Sequence, residues 1–220
     1  MCRARPTRRV ADRPADAASL LILDGRGTDA RVLMGRRSAA HAFMPEVYVF
    51  PGGRVDAGDR RRSTTGALRP ADEARLLSHT ARPSPARARA MAVAALREAR
   101  EETGVAIGAV EGDALVPHLT PLRYVARAIT PPGRSRRFDA RFFACQRDDI
   151  TGEDAPTTDE LEDVRWVPLA GAKDAVPLAR ITAVIIDEML ERLGRDPDLT
   201  ADLPVPRHRM LHRRFVRDEH

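Results

Sequence analysis

The feature that most constrains this chain is the segment AALREAREETGVAI at residues 94–107. From Pro85 onward alanine dominates, at Ala86, Ala88, Ala90, Ala92, Ala94, Ala95 and Ala99, joined by Met91 and Leu96, and Gly104 follows as a stop. Alanine loses no side-chain entropy in a helix and glycine ends one readily, so the run predicts a helix. At about 100° per residue, Glu98, Glu101 and Glu102 then share one narrow arc. Three carboxylates that close repel one another unless water solvates them or a hard divalent cation accepts their oxygens. Arg97 and Arg100 lie among them, so the helix alone also describes an ordinary mixed-charge surface.

The segment FPGGRVDAGD at residues 50–59 separates those readings. Val47, Tyr48, Val49 and Phe50 predict a short buried strand, and Pro51-Gly52-Gly53 breaks it with a turn where backbone can approach a ligand. Together the two segments resemble the nudix box, G-x5-E-x7-R-E-U-x-E-E-x-G-U with U aliphatic. Gly53 matches the opening glycine, and Arg97, Glu98, Ala99, Glu101, Glu102, Gly104 and Val105 match the second half, with Ala99 a small U. Asp59 stands in place of the first glutamate, and residues 60–96 fill a gap that the pattern keeps short, so an insertion splits the box. The stretches HAFMPEVYVFPGGRVDAGD and ITPPGRSRRFDARFFAC are similar to a branch of the family that includes an animal coenzyme A diphosphatase. A signature upstream of the glycines is kept at Leu33, Arg37 and Ser38, while Ala42 and Glu46 stand where arginine and glycine would.

The resemblance implies roles residue by residue. Glu98, Glu101 and Glu102 would bind Mg²⁺ or Mn²⁺, with the carbonyl of Gly53 or Gly52 completing the shell and Glu98 doubling as a base. Arg97 would tie Asp59 to the helix, through a loop shift or a water because Asp is one methylene shorter than Glu. Glu160, preferred to Glu162, would be a further acid or base. Arg37, Gly52, Arg136 and Arg137 would meet the substrate, although two arginines beside a strand serve solubility equally well. Hydrolysis of a diphosphate bond in a nucleoside diphosphate linked to another group is the implied activity, with coenzyme A or acyl-coenzyme A the favoured example. ADP-ribose, dinucleotides and nucleoside triphosphates are alternatives, as is a nudix-fold regulator that binds without turnover.

The remaining pattern predicts an α/β/α sandwich with a mixed sheet, the nudix fold, carrying a helical insertion. Residues 17–23 and 31–36 are strands joined by a glycine-rich turn, 119–129 and 138–145 a strand pair around Pro131-Pro132-Gly133, and 164–168 a further strand anchored by Trp166. Ile181, Val184, Ile185, Met189 and Leu193 recur at helical spacing over 178–193. Residues 17–193 are the expected domain, with a helical flap at 71–79 inside an insertion over 60–90, a disordered lead-in at 1–16 and a loose basic tail at 194–220.

Composition narrows the partners. A length of 220 residues with 43% hydrophobic content suits one domain. Nothing resembles a membrane span or a secretory signal, and Cys2 and Cys145 form no disulfide framework, so a cytoplasmic setting is expected. A net charge of +5 with a single lysine, Lys173, and no asparagine reads as a compositional bias to arginine, making nucleic acid an unlikely partner. Isolated His41, His79 and His118 suggest no zinc site. A homodimer is left open.

Overall fold

The computed structural model describes residues 13–39, 45–80, 82–112, 114–134, 136–153, 155–212 and 214–220. Cys2, His41 and Ala42 lie outside them, as does most of the lead-in. In chain order the elements are β1 (Ala15–Asp24), β2 (Arg31–Arg37), β3 (Tyr48–Val49), β4 (Gly52–Arg54), α1 (Pro70–Leu77), α2 (Pro85–Thr103), β5 (Val105–Ala106), β6 (Gly108–Glu111), β7 (Ala114–Pro117), β8 (Arg123–Ile129), β9 (Phe138–Gln146), β10 (Gly152–Glu153), β11 (Leu161–Pro168), α3 (Ala172–Ala175), α4 (Arg180–Arg195), β12 (Pro206–Leu211) and β13 (Arg214–Glu219).

The main sheet runs β11-β2-β1-β9-β8-β12-β13, with β3 beside β2 and β4 beside β1. It is mixed: β1 lies parallel to β9 and β12 parallel to β8, and the other pairs are antiparallel. Central β1 is apolar on both faces, as a strand covered twice must be. Ala18, Leu20 and Ile22 join the cluster under α1 and α2, while Leu21 and Leu23 join the one under α3 and α4. The expected sandwich is therefore the observed one. Ala88, Ala92, Ala95 and Ala99 face the sheet from α2, and their small side chains let that helix sit close against β1.

Four expectations differ in detail. The paired glycines are not a plain turn: the chain leaves the edge of β2 after Val49, and Gly52 and Gly53 run extended beside Ser19 and Ala18 of β1. The insertion's helix is no flap, because Leu68 and Leu76 are buried with α2. Strand β1 starts at Ala15, inside the predicted lead-in, since Asp16 is held by Arg87 at 2.7 Å. The predicted loose tail contains the hairpin β12–β13, which extends the sheet from β8. Charge pairing replaces apolar alternation there, with Arg207 and Arg209 both on Asp218.

Candidate functional site

Helix α2 ends where the predicted stop stands: Gly104 is left-handed at φ 78° and its N–H returns to the Arg100 carbonyl. The last two turns before it bring the acidic arc onto β4. Glu102 accepts a hydrogen bond from the Gly52 N–H at 2.7 Å and is 5% exposed. Glu98 lies so close over Gly53 that a Cβ on that residue would overlap its carboxylate. A Cβ on Gly52 would overlap Ala18 and Ser19 of β1. Gly52 is thus required by close approach to the neighbouring strand, while at Gly53 the close neighbour is the flexible end of an acid. Gly53→Ala is expected to push the Glu98 carboxylate aside and to change stability by less than about 1 kcal/mol, measured by urea unfolding; a loss of several kcal/mol would contradict this packing.

Arg97 carries the other half of the arrangement. Its Nε donates to Asp59 at 2.9 Å and Nη2 to the same carboxylate at 3.2 Å. Nη1 reaches Glu101 at 2.8 Å and Nη2 also meets the Arg54 carbonyl at 3.0 Å. Asp59 is 1% exposed and caps the Asp56 N–H at 2.7 Å. Of the two expected routes, a loop shift or a water, the shorter side chain at position 59 therefore takes the direct one, with the loop close enough for the carboxylate to pair with Arg97. Burial disfavours the Arg97 charge, but Asp59, Glu98 and Glu101 outweigh it and raise its pKa.

Two carboxyls in this cluster hold their protons unusually well. Burial pushes Glu98 up to about 7 against the pull of Arg97, helped by the charges of Glu101 and Glu160. Burial likewise pushes Glu102 up to about 8, with Glu98 and Glu160 adding to it and Gly52 and Arg37 opposing. Glu160 and Arg37 thus share the field of the acidic arc, although β2 and the start of β11 lie far from α2 in sequence. Burial lowers the Arg37 pKa while Glu102 and Glu160 pull it back. The loop before Glu160 is fastened to the helix end by the Thr157 N–H on the Glu101 carbonyl at 2.9 Å. Glu162 instead pairs with Arg36 at 2.8 Å.

Other predicted residues lie elsewhere. Arg136 is exposed, and Arg137 donates to the Thr130 carbonyl at 3.3 Å within the β8–β9 connection, so neither belongs to the acidic cluster. Glu46 holds the left-handed φ of 61° that a glycine would favour, a conformation costing about 1–2 kcal/mol for a residue with a Cβ.

The donor chemistry suits a hard cation: several carboxylates and backbone carbonyls, partly dehydrated and charge-repelled. Among the described residues no three acidic, histidine or cysteine side chains are grouped so that they could hold a metal ion by themselves.

Comparison with known proteins supports the same reading. Residues 88–189 match the family described as NUDIX domain. A NUDIX hydrolase from Alicyclobacillus acidocaldarius superposes with a TM-score of 0.60 at 23% identity, covering 86% of this chain and 99% of that one. The NUDIX domain of Shewanella oneidensis NrtR, in complex with ADP ribose, gives 0.52 at 16% identity over 84% and 92%. A NUDIX hydrolase from Nitrosomonas europaea gives 0.51 at 12% identity over 82% and 91%. No curated protein matches. The chain therefore has the Nudix fold, and residues 88–189 of it are similar to the NUDIX domain. The family match begins inside α2, near the end of the insertion; the fold brings Gly52, Gly53 and Asp59 back to it. Among the described residues no helix is long and apolar enough to cross a membrane.

Proposed function

We propose that this protein hydrolyses a diphosphate bond in a nucleoside diphosphate linked to another moiety, with Mg²⁺ or Mn²⁺, and that coenzyme A or an acyl-coenzyme A is its favoured substrate. The observation carrying this reading is the position of Glu98 against Gly53 and of Glu102 on the Gly52 N–H. Glu98 and Glu102, with Glu101 nearby and the Gly53 carbonyl, would hold the cation. The bound metal would neutralise phosphate charge and acidify water.

Diphosphates are inert largely because their anionic oxygens repel a nucleophile. Arg97 and Asp59 keep the helix and the glycine strand in one piece, so that the carboxylates meet substrate in a fixed geometry. Water attacks one phosphorus, the bridging P–O bond breaks, and the released phosphate departs with the electron pair. Glu160 or Glu98 takes the proton from that water. Arg37, whose charge interacts with those of Glu102 and Glu160, would meet a substrate phosphate. A reducing cytoplasm and the insertion-bearing branch of the family belong to the same reading.

A second reading has one observation in its favour, the ADP ribose bound to the similar NrtR domain. Phosphate release measured with Mg²⁺ over coenzyme A, ADP-ribose, NADH and nucleotides decides between them. Release from coenzyme A that stops with EDTA is the expected result; tight binding of ADP-ribose with no release from any compound would favour a regulator.

A further inference from the structure

A second charged region lies under the other half of α2, away from the carboxylates. Arg87 precedes Glu98 by eleven positions, about 16 Å along the helix axis at 1.5 Å per residue. Below it the apolar face of the sheet gives way to a row of arginines. Arg141 of β9 stands opposite Arg127 of β8, and Arg127 opposite Arg207 of β12. They are 0%, 4% and 6% exposed. Like charges in direct cross-strand register destabilise a sheet unless they are compensated.

Compensation is partial. Asp139 takes Arg127 at 2.8 Å and Arg141 at 2.9 Å, Asp218 takes Arg207 at 2.6 Å, and Asp16 takes Arg87 at 2.7 Å and Arg141 at 3.3 Å. Among the described residues Nε and Nη2 of the buried Arg141 have no hydrogen-bond partner, nor has the Tyr124 hydroxyl. A cleft of about 550 Å³ opens over this layer, with Asp16 and Asp139 on its floor and Arg13, Arg60, Arg82, Arg87, Arg127 and His79 around it. The floor carboxylates are already occupied by Arg87, Arg127 and Arg141. Among the described residues Arg13, Arg60 and Arg82 at the mouth face no carboxylate within ion-pair distance, and all three are exposed. Cationic groups converging on a concave surface raise the local potential well beyond that of scattered charges.

We propose that this cleft is a binding site for a phosphorylated small molecule, separate from the carboxylate cluster at the other end of α2. Its volume falls in the range of small-ligand pockets, and guanidinium groups arriving from the lead-in to β1, the insertion, α2 and β8 suit the several oxygens of a phosphate group. The unsatisfied Arg141 donors beneath the floor add positive field to it. This inference is independent of which diphosphate the enzyme cleaves.

The test is calorimetric titration of the full chain with inorganic pyrophosphate, in EDTA and at ionic strength held constant with sodium chloride. Without divalent cations the acidic cluster repels the probe, so binding there is suppressed. Wild type and Glu102→Gln are expected to bind it equally, and the double variant Arg13→Gln/Arg82→Gln at least about tenfold more weakly, since each lost charge-assisted contact weakens binding. Both substituted residues are exposed, and an unchanged melting temperature verifies the fold. Equal affinity in the double variant, loss of binding in Glu102→Gln alone, or no binding by wild type at millimolar probe would each overturn the proposal.

Discussion

Glu102→Gln is expected to lower kcat by about two to three orders of magnitude, the loss of several kcal/mol of metal-assisted stabilisation, while leaving the fold intact. Glutamine keeps the shape and still accepts the Gly52 N–H, which the glutamate holds at 2.7 Å. It loses only the charge that would draw a divalent cation to this wall. Stability should move the other way. Burial raises the Glu102 carboxyl from 4.5 to about 8, so its charged form is the disfavoured one in the folded chain. The resulting penalty is absent below the unfolded value near 4.5 and grows until the pH passes about 8. In EDTA the variant should therefore melt higher than wild type above pH 8 and at the same temperature near pH 4.5. Steady-state kinetics at saturating Mg²⁺ and thermal melts read the two effects separately. Near-normal turnover would end the assignment of Glu102, and a lower melting temperature above pH 8 would contradict the buried charge.

This site was legible in the sequence because its parts are local. Arg97, Glu98, Glu101 and Glu102 fall within two turns of one helix, and helical spacing alone puts the three acids on one arc. Placing that arc against Gly53 across the insertion required a resemblance, and the contact of Glu98 with Gly53 supports it. The direct Arg97–Asp59 pair was less accessible, since side-chain length argued for a gap that the backbone closes. The β12–β13 hairpin escaped for a different reason. Strand prediction reads apolar alternation, and here Arg207, Arg209 and Arg217 pair with Asp218 and Glu188 instead. Ion pairs between distant positions leave no periodic trace. The switch of strand at Pro51 was equally silent, because Gly52 and Gly53 read as a turn until β1 is known to run beside them.

Asp139→Asn should produce the largest loss of stability among changes remote from the carboxylate cluster. Asp139 is 9% exposed, accepts from Arg127 Nε and Nη2 at 2.8 Å each, and lies 2.9 Å from Arg141. Removing one partner of a buried pair leaves an uncompensated charge, which costs about 3–5 kcal/mol, and here two arginines lose the same counterion. Burial alone would raise the Asp139 pKa, but the Arg127 hydrogen bond and the charges of Arg141 and Arg127 prevail and hold it below 3.8. A depressed carboxylate contributes stability that is present above its unfolded value near 3.8 and lost as the pH falls through the lower folded value. Denaturant unfolding at neutral pH should accordingly show the full gap between wild type and variant, and the gap should shrink on acidification below 3.8. Asp139→Glu, which keeps the charge, should recover part of it. If asparagine were tolerated at neutral pH, the arginine row would have to be neutralised mainly by Asp16 of β1 and Asp218 of β13, which flank it, and not by the carboxylate at its centre.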